Sequence, residues 1–255
     1  VCPPTAGLRD LNHPAASVGP DDPVAASRAL LDAARAATRP DDPALRAAAA
    51  SLGAVDPRAL PRDGGHRTAF WLNVYNALMR HAVLAYDLRA GTRVPLGVFA
   101  RAGYGLGSLR YSLHVIEHGL LRRNRPAPYT FWRPLGASDP RAAAMPATFD
   151  VRLHFALNCA AASCPPVRAY SAEALDAELD RATRAYVTQE TALHRDALRV
   201  EIPYLCGLYA RDFGPRRAAL AWVATFLDDD NRAWIAAHAD RIRVASGGYR
   251  WEVVR

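Results

Sequence analysis

Arg67–Leu88 reads RTAFWLNVYNALMRHAVLAYDL, and its periodicity decides the fold class. Val74, Leu78 and His81 fall on one helical face, while Asn73, Asn76 and Arg80 fall on another at steps of three and four. This is the strongest helix in the chain. Upstream, Ala25, Ala29, Leu30, Ala33 and Ala37 give helical spacing over Pro23–Thr38, with Asp22 as its N-cap. A shorter helix follows from Pro43 to Ser51. Residues 1–22, rich in Pro, Gly and Asp, read as an arm.

Downstream, a loop carrying Gly91, Gly97, Gly103, Gly105 and Gly107 leads into a second helix over Ser112–Arg123. Residues 124–150 hold five prolines and no sustained period, so they read as a long surface excursion. Val151–Asn158 is apolar and compact and suits a buried strand. Ser171 is placed to cap a long helix with a stripe of Leu175, Leu179, Ala182 and Tyr186. A strand over Leu198–Ile202, helices over Tyr204–Arg211 and Arg216–Leu227, and a β-hairpin around Gly247-Gly248 complete the chain. The sum is an α+β fold: one helix-rich domain over residues 23–255 with a small antiparallel sheet.

Composition narrows the function classes. The 255 residues are 51 % apolar and 22 % charged, ordinary for a globular domain, and no apolar run reaches the ~18 residues of a membrane span. The net charge of +7 comes without lysine: all 32 basic residues are arginine, and with the abundant alanine this points to a GC-rich genome. The arginines are scattered, so the footprint of a nucleic-acid binder is missing and no nucleic-acid partner is expected. VCPPTAGLRD lacks a basic start followed by an apolar core, so no signal peptide is read there and reduced cytoplasmic thiols are the expectation. Four cysteines are too few for a disulfide scaffold. Cys2 lies in the Pro-rich start, and Cys206 reads as a small buried hydrophobe.

Chemistry concentrates in two places. His114-Val-Ile-Glu117-His118 matches H-x-x-E-H, in which two histidines one turn apart hold zinc and the glutamate acts as base. No third ligand is marked for it. His154–Pro166, HFALNCAAASCPP, sets Cys159 and Cys164 five apart beside a histidine and Asn158. That spacing allows a zinc pair, a disulfide or a reactive thiol with a helper. Asp212-Phe213-Gly214 spells a kinase magnesium motif, but no phosphate loop, lysine or H-R-D motif accompanies it.

Four separated motifs, taken in order, resemble one family. Ala69-Phe-Trp-Leu-Asn73-Val-Tyr75-Asn76-Ala77, Ile116-Glu117-His118 through Arg122, His154 through Pro166, and Tyr209 through Gly214 are similar to the domain of unknown function 547, a family with bacterial members, over about residues 65–215. The resemblance maps the family's E-H and S-C-P elements onto Glu117, His118, Ser163, Cys164 and Pro165. It makes the H-x-x-E-H match an accident laid over E-H, because the family carries an acid or amide where this chain has His114. Ala160 stands where the family has glycine, which puts a left-handed backbone there in question.

The leading expectation is a thiol-dependent enzyme, resembling papain and transglutaminase, acting on an amide, peptide or thioester. Cys164 attacks, His118 is the base, and Glu117 or the Asn73/Asn76 face orients it. Cys159, His154, Asn158, Ser163 and Tyr75 line the site, with backbone amides around Ser163–Cys164 as an oxyanion hole. No cofactor is expected. The alternatives are a non-catalytic module binding a small thiol or peptide, and a zinc hydrolase using His114 and His118.

Overall fold

The computed structural model describes residues 9–12 and 18–254, so Cys2 and much of the expected arm lie outside the described residues. Local chemistry starts the first two helices. Asp22 accepts from the amides of Val24 and Ala25 (2.9 and 3.0 Å) ahead of α1 (Pro23–Ala36). Asp42 does the same for Ala44 and Leu45 ahead of α2 (Pro43–Gly53). Each cap is followed by a proline that needs no amide partner.

The long helix α3 (His66–Ala85) is buried on nearly every side, with α1 packed against it. The polar face read from the sequence is interior at Asn73 and Asn76, which are fully buried, while Arg80 is half-buried. The glycine-rich stretch is not a loop. It holds α4 (Leu96–Arg101) and β2 (Ala102–Leu106), which pairs antiparallel with β3 (Leu109–Ser112). β1 (Arg9–Asp10) lies parallel to β2, so part of the expected arm is a strand. Asn12 fixes it by donating to the Gly105 carbonyl (2.7 Å) and accepting from the Gly105 amide (2.9 Å).

Residues 124–150 are pinned rather than free. Arg67, itself buried, donates to the carbonyls of Ala143 and Met145 (2.7 and 2.9 Å), and the Trp71 indole to that of Ala144 (3.0 Å). Val151–Phe155 is a 3₁₀ helix, not the expected strand. Asp150 caps it at the Arg152 amide (2.9 Å), and Arg152 is held by Asp150, Asp176 and Asp180. A short apolar run carries no period that separates these outcomes, and the capping chemistry decides.

α5 (Leu175–Glu190) buries Leu179, Ala182 and Tyr186 as its stripe predicts. Ser171 sits before its first turn, where its hydroxyl accepts from the Ala174 amide (3.3 Å). Then follow β4 (Ala192–His194), β5 (Arg199–Ile202), α6 (Tyr204–Leu208), α7 (Ala210–Phe213), α8 (Arg216–Ala224), α9 (Asp229–Ala237) and β6 (Arg243–Ser246). These surround a second apolar cluster containing Phe155, Val223 and Phe213, and Cys206 is buried within it as expected.

The fold is thus α+β and helix-rich with small sheets, each of three strands with one antiparallel and one parallel pairing. The expected C-terminal hairpin does not form. β6 runs parallel to β5, and the Gly247 amide extends that ladder to the Ile202 carbonyl (2.9 Å). The chain after Gly248 instead crosses to Ala160–Ser163, where Ala162 donates to the Glu252 carbonyl (2.8 Å) and Val254 to that of Ala160 (2.9 Å). Among the described residues no helix is long and apolar enough to cross a membrane.

Candidate functional site

The segment after β3 winds into a π-helix, Val115–Leu121, with Arg122 donating to the Glu117 carbonyl (2.8 Å) and Asn124 to that of Gly119 (2.9 Å). Such i→i+5 turns recur at functional sites. Here the widened turn buries Glu117 and its neighbour His118 together.

Glu117 is held by two phenols: Tyr75 of α3 donates to Oε2 (2.9 Å), and Tyr209, between α6 and α7, donates to Oε1 (2.5 Å). Burial pushes its carboxyl up, but the His118 ring, the Tyr209 hydroxyl and nearby cations outweigh that and leave it below the ordinary value.

The tautomer of His118 follows from its partner. Arg122 Nη1 can only donate, so Nδ1 of His118 accepts (2.9 Å), and the neutral ring carries its proton on Nε2. Burial brings His118 down to about 3, against the pull of Glu117. His154 has the opposite orientation. Asp212 accepts from Arg122 Nε (2.7 Å) and Arg125 Nη1 (2.8 Å), and His154 Nε2 donates to the same carboxylate (2.9 Å). This leaves the lone pair of the neutral ring on Nδ1. His154 also stacks on Tyr209 with centroids 3.9 Å apart. Burial lowers its pKa, with Asp212 opposing the shift.

The two thiols stand in contact with each other. Cys164 Sγ lies 2.7 Å from Cys159 Sγ, accepts from the Cys159 amide (3.1 Å), and is 3.1 Å from the Tyr249 hydroxyl. Burial alone raises the Cys164 thiol. The Cys159 thiol, the Tyr249 hydroxyl and the backbone amide reverse that and set it below an ordinary thiol. Cys159 goes well above, first because of Cys164 and then because of burial. Among the described residues neither sulfur has a histidine within hydrogen-bond distance.

The asparagines are clips. Asn76 donates to the Ala156 carbonyl (3.0 Å) and accepts from the Asn158 amide (2.9 Å), while Asn73 holds Tyr170 through both of its backbone groups (2.8 Å each). Neither touches a histidine ring, so the expectation that this face orients the base is not met. Asn158 spans the thiol loop, donating to the Pro165 carbonyl (2.7 Å) and accepting from the Ala160 amide (2.8 Å). The expected oxyanion hole is occupied: Ser163 N donates to the Arg250 carbonyl (3.3 Å) and Cys164 N to that of Ala161 (2.9 Å).

Tyr75, Glu117, His118, His154, Cys159, Cys164 and Tyr209 line one cavity of about 100 Å³. Leu96, Phe99, Leu205, Leu208, Tyr249 and Trp251 give it apolar walls, and among the described residues no arginine lines it. Members of all four sequence motifs meet there. Asp212 and Arg122 stand just behind the two histidines; the sequence marks Asp212 as part of the fourth motif but not as the partner of His154. Tyr249 carried no sequence signal.

The side chains present do not fit zinc. Among the described residues no group of three His, Cys, Asp or Glu is arranged to hold a metal ion. His114 and His118 meet edge to face with centroids 4.9 Å apart, and Nδ1 of His118 is taken by Arg122.

The family model described as "Protein of unknown function, DUF547" matches residues 62–187. Residues 62–187 are a DUF547 domain. The match takes in the first three motifs, and the structure brings the fourth, Tyr209–Gly214, onto the same cavity from beyond it. No curated protein and no solved structure matches this chain.

Proposed function

We propose that the protein is a thiol-dependent enzyme in which Cys164 is the nucleophile and the substrate is an uncharged acyl compound, a thioester before an amide or peptide. One observation carries the reading: Cys164 Sγ gathers the Cys159 thiol, the Cys159 amide and the Tyr249 hydroxyl on the wall of an apolar cavity. Donors of this kind prepare a thiolate without a histidine base.

In the first step the Cys164 thiolate forms a bond to the acyl carbon, and the carbonyl electrons move to oxygen. The His118 Nε2–H is the donor available on the cavity wall for that oxygen. Collapse breaks the bond to the leaving group. A thiolate departs without a proton, whereas an amide nitrogen needs one, and both buried histidines are neutral and poor acids. This favours the thioester. In the second step water or another acceptor attacks the acyl-Cys164 and gives its proton to Nδ1 of His154, whose ring is oriented by Asp212. The base is therefore His154 rather than His118, whose Nδ1 is capped by Arg122. The small cavity takes the acyl end, with Leu96 and Tyr129 exposed at its rim for the remainder.

S-phenyl thioacetate is the test. Mass mapping after a short incubation is expected to place an acetyl group on Cys164, and the Cys164→Ala variant is expected to carry none. A pure binding module acetylates nowhere preferentially, and acetylation confined to Cys159 reverses the assignment.

A further inference from the structure

We propose that Cys159 and Cys164 are also a thiol–disulfide exchange couple, with Cys164 attacking a small disulfide and Cys159 resolving it. The inference rests on Cys164 being the nucleophile, and it gives Cys159 a task that acyl transfer does not require.

Three features of the site support it. The sulfurs are 2.7 Å apart, so only a small movement separates them from a bond of about 2.05 Å. The backbone around them is secured by groups other than the thiols: Asn158 ties Ala160 to Pro165, and Ala162 and Ser163 are paired with Glu252 and Arg250. Bond formation breaks none of these contacts. The two thiols are also unequal, because the Cys164 sulfur is what chiefly holds the proton on Cys159. Once Cys164 is capped its negative charge is gone, and Cys159 becomes free to ionise at the point where a resolving thiolate is needed.

The exchange balances. The Cys164 thiolate bonds to one sulfur of RSSR, the S–S bond breaks, and RS⁻ leaves with the electron pair. Cys159 then loses its proton to that thiolate and attacks Cys164 Sγ, expelling the second RS⁻, which takes up a proton from water. The protein dithiol is oxidised to a disulfide and RSSR is reduced to two RSH. A small dithiol reverses the sequence. Apart from Glu117, whose carboxylate oxygens accept from Tyr75 and Tyr209, the walls carry no charge, which favours disulfides whose flanking groups are small and neutral. The oxidised protein lacks its nucleophile, so acyl transfer stops with it.

The probe is bis(2-hydroxyethyl) disulfide, applied to the full chain in a Cys2→Ser background, with iodoacetamide labelling and mass mapping before and after. The reduced protein is expected to label at Cys164. With the probe, both Cys159 and Cys164 become unreactive, two equivalents of 2-mercaptoethanol appear, and dithiothreitol restores labelling and thioester acetylation. The Cys159→Ala variant stops at the mixed disulfide on Cys164 with one equivalent released. If the parent chain also stops at the mixed disulfide, or stays fully labelled while Cys164 reacts with S-phenyl thioacetate, the couple is refuted and the nucleophile stands. If Cys164 reacts with neither reagent, both readings fall.

Discussion

Tyr249 reaches the sulfur pair from a segment 85 positions further along the chain, and its hydroxyl is the donor to Cys164 that can be removed most cleanly. Its ring packs on Trp251 and Tyr204 (centroids 4.5 and 5.1 Å), contacts that phenylalanine keeps. A hydrogen bond to a charged acceptor contributes about 1.5–3 kcal/mol, equivalent to one or two pKa units. Tyr249→Phe is therefore expected to move the pH midpoint of Cys164 alkylation upward and to slow labelling at neutral pH by about tenfold or more. Rates of iodoacetamide reaction across pH measure this, and an unmoved midpoint removes Tyr249 from the account. Sequence reading reached Cys164, Glu117, His118 and His154 because motif order marks them. It could not reach Tyr249, whose part depends on where the terminal strand crosses. It also assigned Asn73 and Asn76 to chemistry, although their amides are taken by backbone groups and, for Asn73, by the Ser27 hydroxyl, partners that only the folded chain brings near.

Among the elements, the thiol loop carries a cost at one position. Ala160 adopts φ +63°, the left-handed conformation that the sequence left in question. Its amide is held by Asn158 and its carbonyl by Val254, so the loop imposes the conformation. A side chain there is strained by about 1–2 kcal/mol, partly offset in glycine by the greater freedom of its unfolded chain. Ala160→Gly is expected to raise stability by about 0.5–1 kcal/mol, read as a higher urea midpoint with an unchanged slope. A lower midpoint shows that the Ala160 methyl, which is buried, outweighs the backbone strain. The helices with caps or long stripes, α1, α2, α3 and α5, were legible because their signals are local. In the sequence the π-helix is indistinguishable from an ordinary helix, since composition carries no mark of the extra residue per turn. The expected hairpin fails because Gly247-Gly248 suits a turn equally well at the end of a parallel strand.

At the scale of the whole molecule, three segments far apart in sequence place Glu117, His118, His154 and Asp212 in one buried cluster, which ties the stability of the fold to pH. In the unfolded chain both histidines take up protons near pH 6.5. In the folded protein burial lowers both, His118 to about 3. Between those values the unfolded state binds more protons, so stability falls as the solution is acidified. The contribution is fully present above about pH 6.5 and declines below it by about 1.4 kcal/mol per pH unit for each histidine that stays neutral. Asp212, held far below its usual range by His154 and Arg122 against the cost of its burial, extends the loss below about pH 4. Urea titrations are expected to show a midpoint that holds from pH 7.5 to about 6.5 and falls from there to pH 4.5. His118→Asn keeps an acceptor at the Nδ1 position for Arg122 and does not titrate, so its decline over that range is expected to be shallower by about one proton's worth. An equal slope in the parent and the variant means that His118 gains its proton in the folded protein as readily as in the unfolded chain, and then neither its neutral tautomer nor its role as a donor to the acyl oxygen holds.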